Sequence, residues 1–466
     1  MMPVSEMSQI TPPPERATSS KLLPALAGVW IAVTLVKFGN PVILEALVQA
    51  PENGLEFLIS PWPIRWGYVF VSLLFLGSLP FWRWKLPHPK WLLGFPFLWF
   101  LWQLFSATQT VRPDLTNLTI LHFAACLACF CVGYFALSHA RSLVPFWLGL
   151  LAGLLIVFWT GFDQHYGGLE QTRRAFEEMK TNAAQSALVQ KLDTPEFRKK
   201  ISSNRIFSTL VYPNALAGAI LLFLPPTLCA LWQMSRRASS ILRKVLVGLW
   251  AYAGLACLYW SGSKAGWLIG LGIVFWAFLH LPVARKIKWW TAAILLALGL
   301  AGFAAKYSGY FSKGATSAVA RTDYWRAALQ LSVEKPLLGS GPGTFMDGYK
   351  RLKNPQSEMT RLAHNDYLQQ AADSGWPGFL FYAGFIWGSV VFVYRDWRRH
   401  ASEASCLRSK TEPPDWVAFA LWLGVTAFAT QSLVEFGLYI PALAWPFFLF
   451  LGLLCANTVP TRDTSQ

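Results

Sequence analysis

The chain has 466 residues, 54% of them hydrophobic and only 14% charged, with a formal net charge of +16. Soluble domains carry roughly 25% charged residues, so a soluble globular protein is excluded. The basic residues are scattered between apolar runs and form no stripe, which excludes a nucleic-acid partner; anionic head groups, a pyrophosphate-bearing substrate and the lysine/arginine excess of cytoplasmic loops account for the charge instead.

Residues 1–20 are polar and proline-rich (Pro12-Pro13-Pro14) and read as a disordered cytoplasmic tail. They lack the basic start and small-residue cleavage site of a signal peptide, so the first apolar run, 22–37, is expected to stay as an anchor. Further runs near the ~20 residues that cross a bilayer lie at about 67–81, 91–107, 118–138, 143–161, 205–232, 244–260, 265–281, 289–305, 376–394, 416–433 and 438–456. The fold class expected is an all-α polytopic membrane protein with about twelve transmembrane helices. The alternating ten-residue segments of an outer-membrane barrel are missing. Residues 40–66 are too interrupted to span and are placed at the interface, with Trp62 and Trp66 at head-group depth.

The short basic loops (Arg83/Lys85/Lys90, Arg236/Arg237/Arg243/Lys244, Arg285/Lys286/Lys288 and Arg395/Arg398/Arg399) alternate consistently with the spans. Positive residues stay in the cytoplasm, so both termini are cytoplasmic and two long loops face outward. The resulting division is 21–161, N-terminal transmembrane helices; 162–204, an amphipathic periplasmic loop; 205–305, central transmembrane helices; 306–375, a large periplasmic catalytic loop carrying short helices; 376–457, C-terminal transmembrane helices; and 458–466, a cytoplasmic tail. Most of the seven cysteines lie inside spans and imply no disulfide framework. Cys126-x-x-Cys129-x-Cys131 has no histidine or carboxylate expected beside it in the span and reads as core packing.

The 306–375 loop holds the residues with chemistry to offer. Ala363-His364-Asn365-Asp366-Tyr367-Leu368-Gln369 follows two arginines, Arg321 and Arg326, and the turn Gly339-Ser340-Gly341-Pro342-Gly343. A histidine that can move a proton, cations that can hold phosphate and a membrane on both sides point to a lipid-linked substrate. Those glycines lack the lysine and following helix of a phosphate loop and read as a tight turn. Asp373 reads as a helix cap before Trp376-Pro377, and Glu435, near the last outer turn, stays outside the core site.

Several motifs occur in order. Arg205 is followed by Pro213-Asn214-Ala215-Leu216-Ala217. Then come Trp260-Ser261-Gly262-Ser263-Lys264-Ala265-Gly266, Arg321-x-x-x-Trp325-Arg326, Pro336-Leu337-Leu338-Gly339-x-Gly341-Pro342-Gly343 and His364-Asn365-Asp366-Tyr367-Leu368-Gln369. Over about residues 200–380 the chain resembles the O-antigen ligase and polymerase superfamily. The resemblance implies a GT-C-like fold with an outward cavity. It also implies transfer of a glycan from a polyprenyl (undecaprenyl) diphosphate carrier in the bacterial inner membrane, with no metal and no cofactor. Ligases of the family place the glycan on lipid A core, polymerases on another repeat unit, and relatives on protein. Lys264 stands where the family usually has arginine; lysine keeps the charge but loses the bidentate grip.

In the scheme this implies, fixed cations offset charge growing on the leaving diphosphate: Arg205, Lys264 and Arg321, with Arg326 as a further diphosphate contact. His364 is the general base that takes the proton of the acceptor hydroxyl. With Arg205 and Arg321 it makes up the catalytic set, and one-step displacement inverts the anomeric carbon. Asn214, Asn365 and Asp366 are supporting residues. Repeat-unit polymerase and protein O-oligosaccharyltransferase are the alternatives within the class. A flippase or exporter of the same lipid-linked glycans is the alternative outside it, but transporters place charges near the midplane, whereas these cations gather at the outer ends of the spans.

Overall fold

The computed structural model describes residues 21–84, 89–181, 202–281, 283–312, 316–406 and 415–456. The expected tails, Lys85 and most of the second half of the 162–204 loop lie outside the described residues. The described residues are helical with no strand among them. Among the described residues seven helices are long and apolar enough to cross a membrane, and five shorter apolar helices accompany them; these correspond to the twelve spans expected from sequence. The chain is a polytopic membrane protein.

Helices of eight or more residues are numbered in chain order: α1 (Leu22–Lys37), α2 (Ile64–Ser78), α3 (Trp91–Ala107), α4 (Pro113–Cys131), α5 (Val144–Asp163), α6 (Leu169–Thr181), α7 (Pro213–Met234), α8 (Ser240–Trp260), α9 (Lys264–His280), α10 (Arg285–Ser312), α11 (Thr316–Glu334), α12 (Phe345–Leu352), α13 (Asp366–Cys406), α14 (Trp416–Gln431) and α15 (Pro441–Ala456). Helix α15 is apolar on every side, and everything from Pro441 to Cys455 is buried, as expected of a helix at the centre of a bundle. It packs on α4, α1 and α14, while α1 pairs with α5, α7 with α14 and α3 with α13. At the periphery, α8 and above all α10 leave nearly all of their apolar surface exposed, as lipid-facing helices do.

The 40–66 stretch holds a short helix, Gly54–Ile59, and no span. The Lys37 ammonium donates to the carbonyls of Phe57 and Leu58, satisfying that helix's last turn. The 162–204 loop begins with α6, which continues from α5 through a kink at Gly167.

Several boundaries differ from expectation: α7 begins at Pro213 instead of 205, and α13 ends at Cys406 instead of 394. Helix α10 runs on to Ser312, past the expected end of its span. Helix α13 begins at Asp366, ten positions before the expected 376. The apolar pattern starts at 376 because Gly375 (φ 71°) kinks the helix there. Its backbone lies so close to Pro336 and Leu337 that a Cβ would clash with their carbonyls, and Trp376 N–H donates to Pro336 O at 2.8 Å. The polar first turns of α13 therefore belong to the loop side of the kink.

Chain direction fixes which helix ends meet. Residues 213, 264, 366 and 441 start helices, and 260, 312 and 431 end them, all at one end of the bundle. Arg236, Arg237, Arg285, Lys286, Lys288, Arg395, Arg398 and Arg399 lie toward the other.

Candidate functional site at the loop end of the bundle

The segment 205–212 is held against three helices before α7 begins. Gln164 Oε1 accepts the N–H groups of Phe207 and Ser208 at 3.0 and 2.7 Å. Ser208 Oγ donates to Val157 O at 2.6 Å, and Thr209 Oγ1 to Leu35 O at 2.8 Å. Ser208 and Val211 have φ of 53° and 66°, a rare backbone state for side-chain-bearing residues and an outlier for a β-branched one. The third described non-glycine residue in this state is His364, at φ 51°. Such strain persists only where surrounding contacts impose it, and it clusters at functional sites.

Arg205 lies across the Ser261-Gly262 turn. Its Nε donates to Ser261 O at 2.7 Å, and Gly262 (φ 62°) leaves room for its side chain. The same turn starts α9, so Lys264 emerges beside Arg205, and both Arg205 and Arg321 repel it. Arg205 Nη2 donates to Asn214 Oδ1 at 2.6 Å, and Asn214 Nδ2 donates to Glu435 Oε1 at 2.6 Å. Pro213 opens α7, and Gln431 Nε2 donates to Asn214 O at 2.8 Å; together they fix the amide.

Glu435 is the hub. It sits in the loop between α14 and α15, 6% exposed. Arg321, on α11, bonds Oε1 directly, and His364 Nδ1 lies 3.3 Å from Oε2. Burial alone would raise the Glu435 carboxyl, but Arg321, then His364 and Arg205, outweigh it and hold it below its ordinary value. Burial pulls the Arg205 guanidinium below its usual value, with Glu435 opposing; a guanidinium stays charged regardless. With Glu435 fixed as a carboxylate, its hydrogen bond places a proton on His364 Nδ1. In the neutral ring Nε2 is then the nitrogen with the lone pair.

The imidazole is sandwiched. Tyr324 stacks at 5.8 Å and Phe436 meets it edge-on at 4.7 Å. Trp325 Nε1 donates to His364 O at 3.4 Å. Asn365 Oδ1 accepts the Leu368 N–H and caps α13. Asp366 ties the histidine strand to the glutamate loop: its N–H donates to Ser432 O at 2.8 Å, and its Oδ2 accepts the Leu438 N–H at 2.9 Å. Those bonds bracket Glu435. Arg205, Asn214, His364, Ser432, Glu435 and Phe436 line a cavity of about 140 Å³.

Of the residues singled out in the sequence, the structure brings Arg205, Asn214, Arg321 and His364 to one carboxylate, with Lys264 beside them and Asn365 and Asp366 in support. Arg326 is exposed on α11, one and a half turns beyond Arg321, and does not line the cavity. The sequence reading noted Glu435 but left it outside the core site, whereas the structure puts it at the centre. The available signal was a charged residue at the mouth of two almost uncharged spans.

Two other readings change. Asp373 does not cap a helix at Trp376: it is buried two turns into α13, ahead of the Gly375 kink, where it accepts from Gly343 N–H, Gln369 Nε2 and Tyr439 OH at 2.9, 2.8 and 3.2 Å. With Asp373 O taking the Gly341 N–H at 2.8 Å, it consumes the donors of the glycine turn and leaves no nest for an anion. The cysteine triplet does have a histidine beside it: His122 Nε2 is 3.8 Å from Cys126 Sγ. That ring is already engaged, accepting from Trp445 Nε1 and donating to Leu438 O, and no group of three metal-ligating side chains occurs among the described residues.

Residues 247–383 match the family model described as O-antigen ligase. The match takes in Lys264, Arg321, Arg326 and His364 through Asp366, while Arg205, Asn214 and Glu435 lie beyond it. No curated protein matches the chain.

Proposed function

We propose, from the premise that this polytopic membrane protein carries an O-antigen ligase family domain, that it transfers a glycan from a polyprenyl diphosphate carrier to an acceptor hydroxyl. The observation that carries this reading is the Glu435 carboxylate shared by His364, Arg321 and, through Asn214, Arg205. That pairing gives a histidine an assigned proton and a free basic nitrogen, beside guanidinium groups that exceed the local negative charge.

The chemistry follows. Arg205 and Arg321, with Lys264, hold the diphosphate and stabilise the charge it gains as it leaves. The acceptor hydroxyl approaches His364 Nε2, which takes its proton. The acceptor oxygen forms a bond to the anomeric carbon while the carbon–oxygen bond to the diphosphate breaks, and its electron pair leaves with the phosphate. Glu435 holds the ring and stabilises the imidazolium formed. Attack opposite the leaving group inverts the anomeric centre. No step calls on a metal or cofactor.

Two features support an outward-facing site in the cytoplasmic membrane. The cavity is at the helix ends opposite the arginine and lysine clusters of the short loops, and those clusters stay cytoplasmic. Its charges gather at span ends and do not line a path through the bundle, which favours an enzyme over an exporter. The test is transfer by purified protein from a defined polyprenyl diphosphate glycan, offered lipid A core and a free repeat unit together. Product on lipid A core supports the ligase reading, product on the repeat unit makes the protein a polymerase, and release of no diphosphate carrier with either overturns the proposal.

A further inference from the structure

Beside the Glu435-centred site lies a second group of polar side chains, of which the scheme above uses Lys264 alone. Helix α10 brings Lys306 and Tyr307 to the ends of α8 and α9. The Lys306 ammonium donates to Tyr259 O and sits 3.1 Å over the Tyr259 ring. Lys264 stands 3.8 Å over Tyr310 and 5.2 Å from Tyr307. Among the described residues neither lysine pairs with a carboxylate. Arg205 repels both.

Tyr307 adds an independent sign. The residue is 7% exposed, and its buried hydroxyl has no hydrogen-bond partner among the described residues, although it lies within electrostatic reach of Arg205. Buried hydroxyls are ordinarily bonded, so an orphan donor beside surplus cations points to an acceptor group that belongs between them. Glu435 offsets Arg321 and Arg205, and among the described residues no carboxylate offsets Lys264 or Lys306 beside them. Unpaired charge at the edge of a bilayer is costly, and an anion carrying more than one negative charge offsets it.

We propose that Lys306, Lys264 and the Tyr307 hydroxyl form the seat for the carrier-side phosphate of the diphosphate, with Arg205 and Arg321 holding the sugar-side phosphate next to His364. This rests on the donor assignment made above. The placement follows from which faces are covered. Arg321 and Glu435 are largely enclosed, whereas Lys306 is on α10, a span with few buried residues, and α8 and α10 expose Tyr252, Leu255 and Leu298 within about two turns of Tyr259 and Lys306. An isoprenoid attached to a phosphate at Lys306 leaves directly along this surface into the bilayer. The surrounding rings of Tyr259, Trp267, Tyr307 and Tyr310 present faces to the ammonium groups and apolar edges to the first isoprene units.

The test is binding to full-length protein in nanodiscs, using undecaprenyl diphosphate without a glycan, undecaprenyl monophosphate, phosphatidylglycerol and inorganic pyrophosphate as separate probes. Lys306→Met and Tyr307→Phe preserve size and leave the Glu435 contacts untouched. Expected for Lys306→Met is about tenfold or greater loss of undecaprenyl diphosphate affinity, a smaller loss for Tyr307→Phe, and recovery in Lys306→Arg. Undiminished undecaprenyl diphosphate affinity in Lys306→Met, with affinity lost in Arg205→Ala, overturns the seat and leaves the enzyme reading standing. Loss of phosphatidylglycerol binding alone also overturns it and makes Lys306 a contact for bulk lipid. A wild-type protein that binds no undecaprenyl diphosphate removes the donor assignment itself.

Discussion

His364 Nδ1 lies 3.3 Å from Glu435 Oε2, across a separation of 71 residues in the chain. Everything else at the site is arranged around that contact. Arg321 and Asn214 take the other glutamate oxygen, Asp366 brackets the glutamate loop, and Tyr324 and Phe436 enclose the ring. A buried carboxylate bonded to one imidazole nitrogen settles which nitrogen is basic, and it does so before any substrate arrives.

Replacing the histidine by asparagine separates base from backbone. Asparagine tolerates the left-handed conformation of position 364, so His364→Asn is expected to fold and insert normally. Transfer in vitro falls by about 10²–10⁴-fold, the usual worth of a positioned general base. Full transfer by this variant, with an unchanged melting curve, would dismiss His364 from the base role.

Glu435→Gln keeps the side-chain shape and removes the charge that balances Arg321 and Arg205. Leaving such a buried partner unpaired costs up to about 3–5 kcal/mol, reduced here because the Arg321 side chain is 19% exposed. The Glu435 carboxyl is held below its ordinary 4.5, so its stabilising contribution is fully present above that value and fades as pH falls through the lowered one. The melting temperature of the wild type in detergent is therefore expected to exceed that of Glu435→Gln at pH 6–8, and the margin closes below about pH 4.5. A margin independent of pH down to 3 would mean that the carboxylate charge is not what stabilises the loop.

Arg321 and Arg326 occupy one helix but different surroundings. Arg321→Ala exposes Glu435 to a missing partner and removes a diphosphate contact, so KM for the donor should rise by tenfold or more. For Arg326→Ala the change is expected to be much smaller, with stability within about 0.5 kcal/mol of wild type. Donor titrations of the two variants side by side give the answer, and equal effects would place Arg326 on the diphosphate.

Gly375→Ala tests the kink. The residue has φ 71°, and a Cβ would meet the carbonyls of Pro336 and Leu337. A strained backbone of this kind costs on the order of 1–3 kcal/mol, and the close contacts add to it. The expected outcome is a lower melting temperature and a poorer yield of monodisperse protein. Gly248→Ala, where an added methyl group has open space around it, melts no lower than wild type. Equal melting of the two variants would remove the kink as a source of constraint.

The twelve apolar helices, the cations at their ends and the histidine strand were legible in the chain because each is a local pattern: apolar runs of bilayer length, basic short loops, and His364 among polar neighbours. The early start of α13 was not, since its first turns are polar and become helical by packing under Gly375 and against the glycine turn. Asp373 reads locally as a cap, but is a buried acceptor for Gly343 and Tyr439, residues that only the folded bundle brings near.

What the sequence by itself determined is the membrane architecture, because transferring apolar side chains out of water depends on composition and run length alone. Which polar groups meet was decided only by tertiary structure. Glu435 gains its role, and Lys306 and Tyr307 their place beside Arg205, from the packing of α7, α10, α11 and α14 at one end of the bundle. A charge acts on its neighbours over a few ångströms, and that separation is set by helix packing and not by distance along the chain.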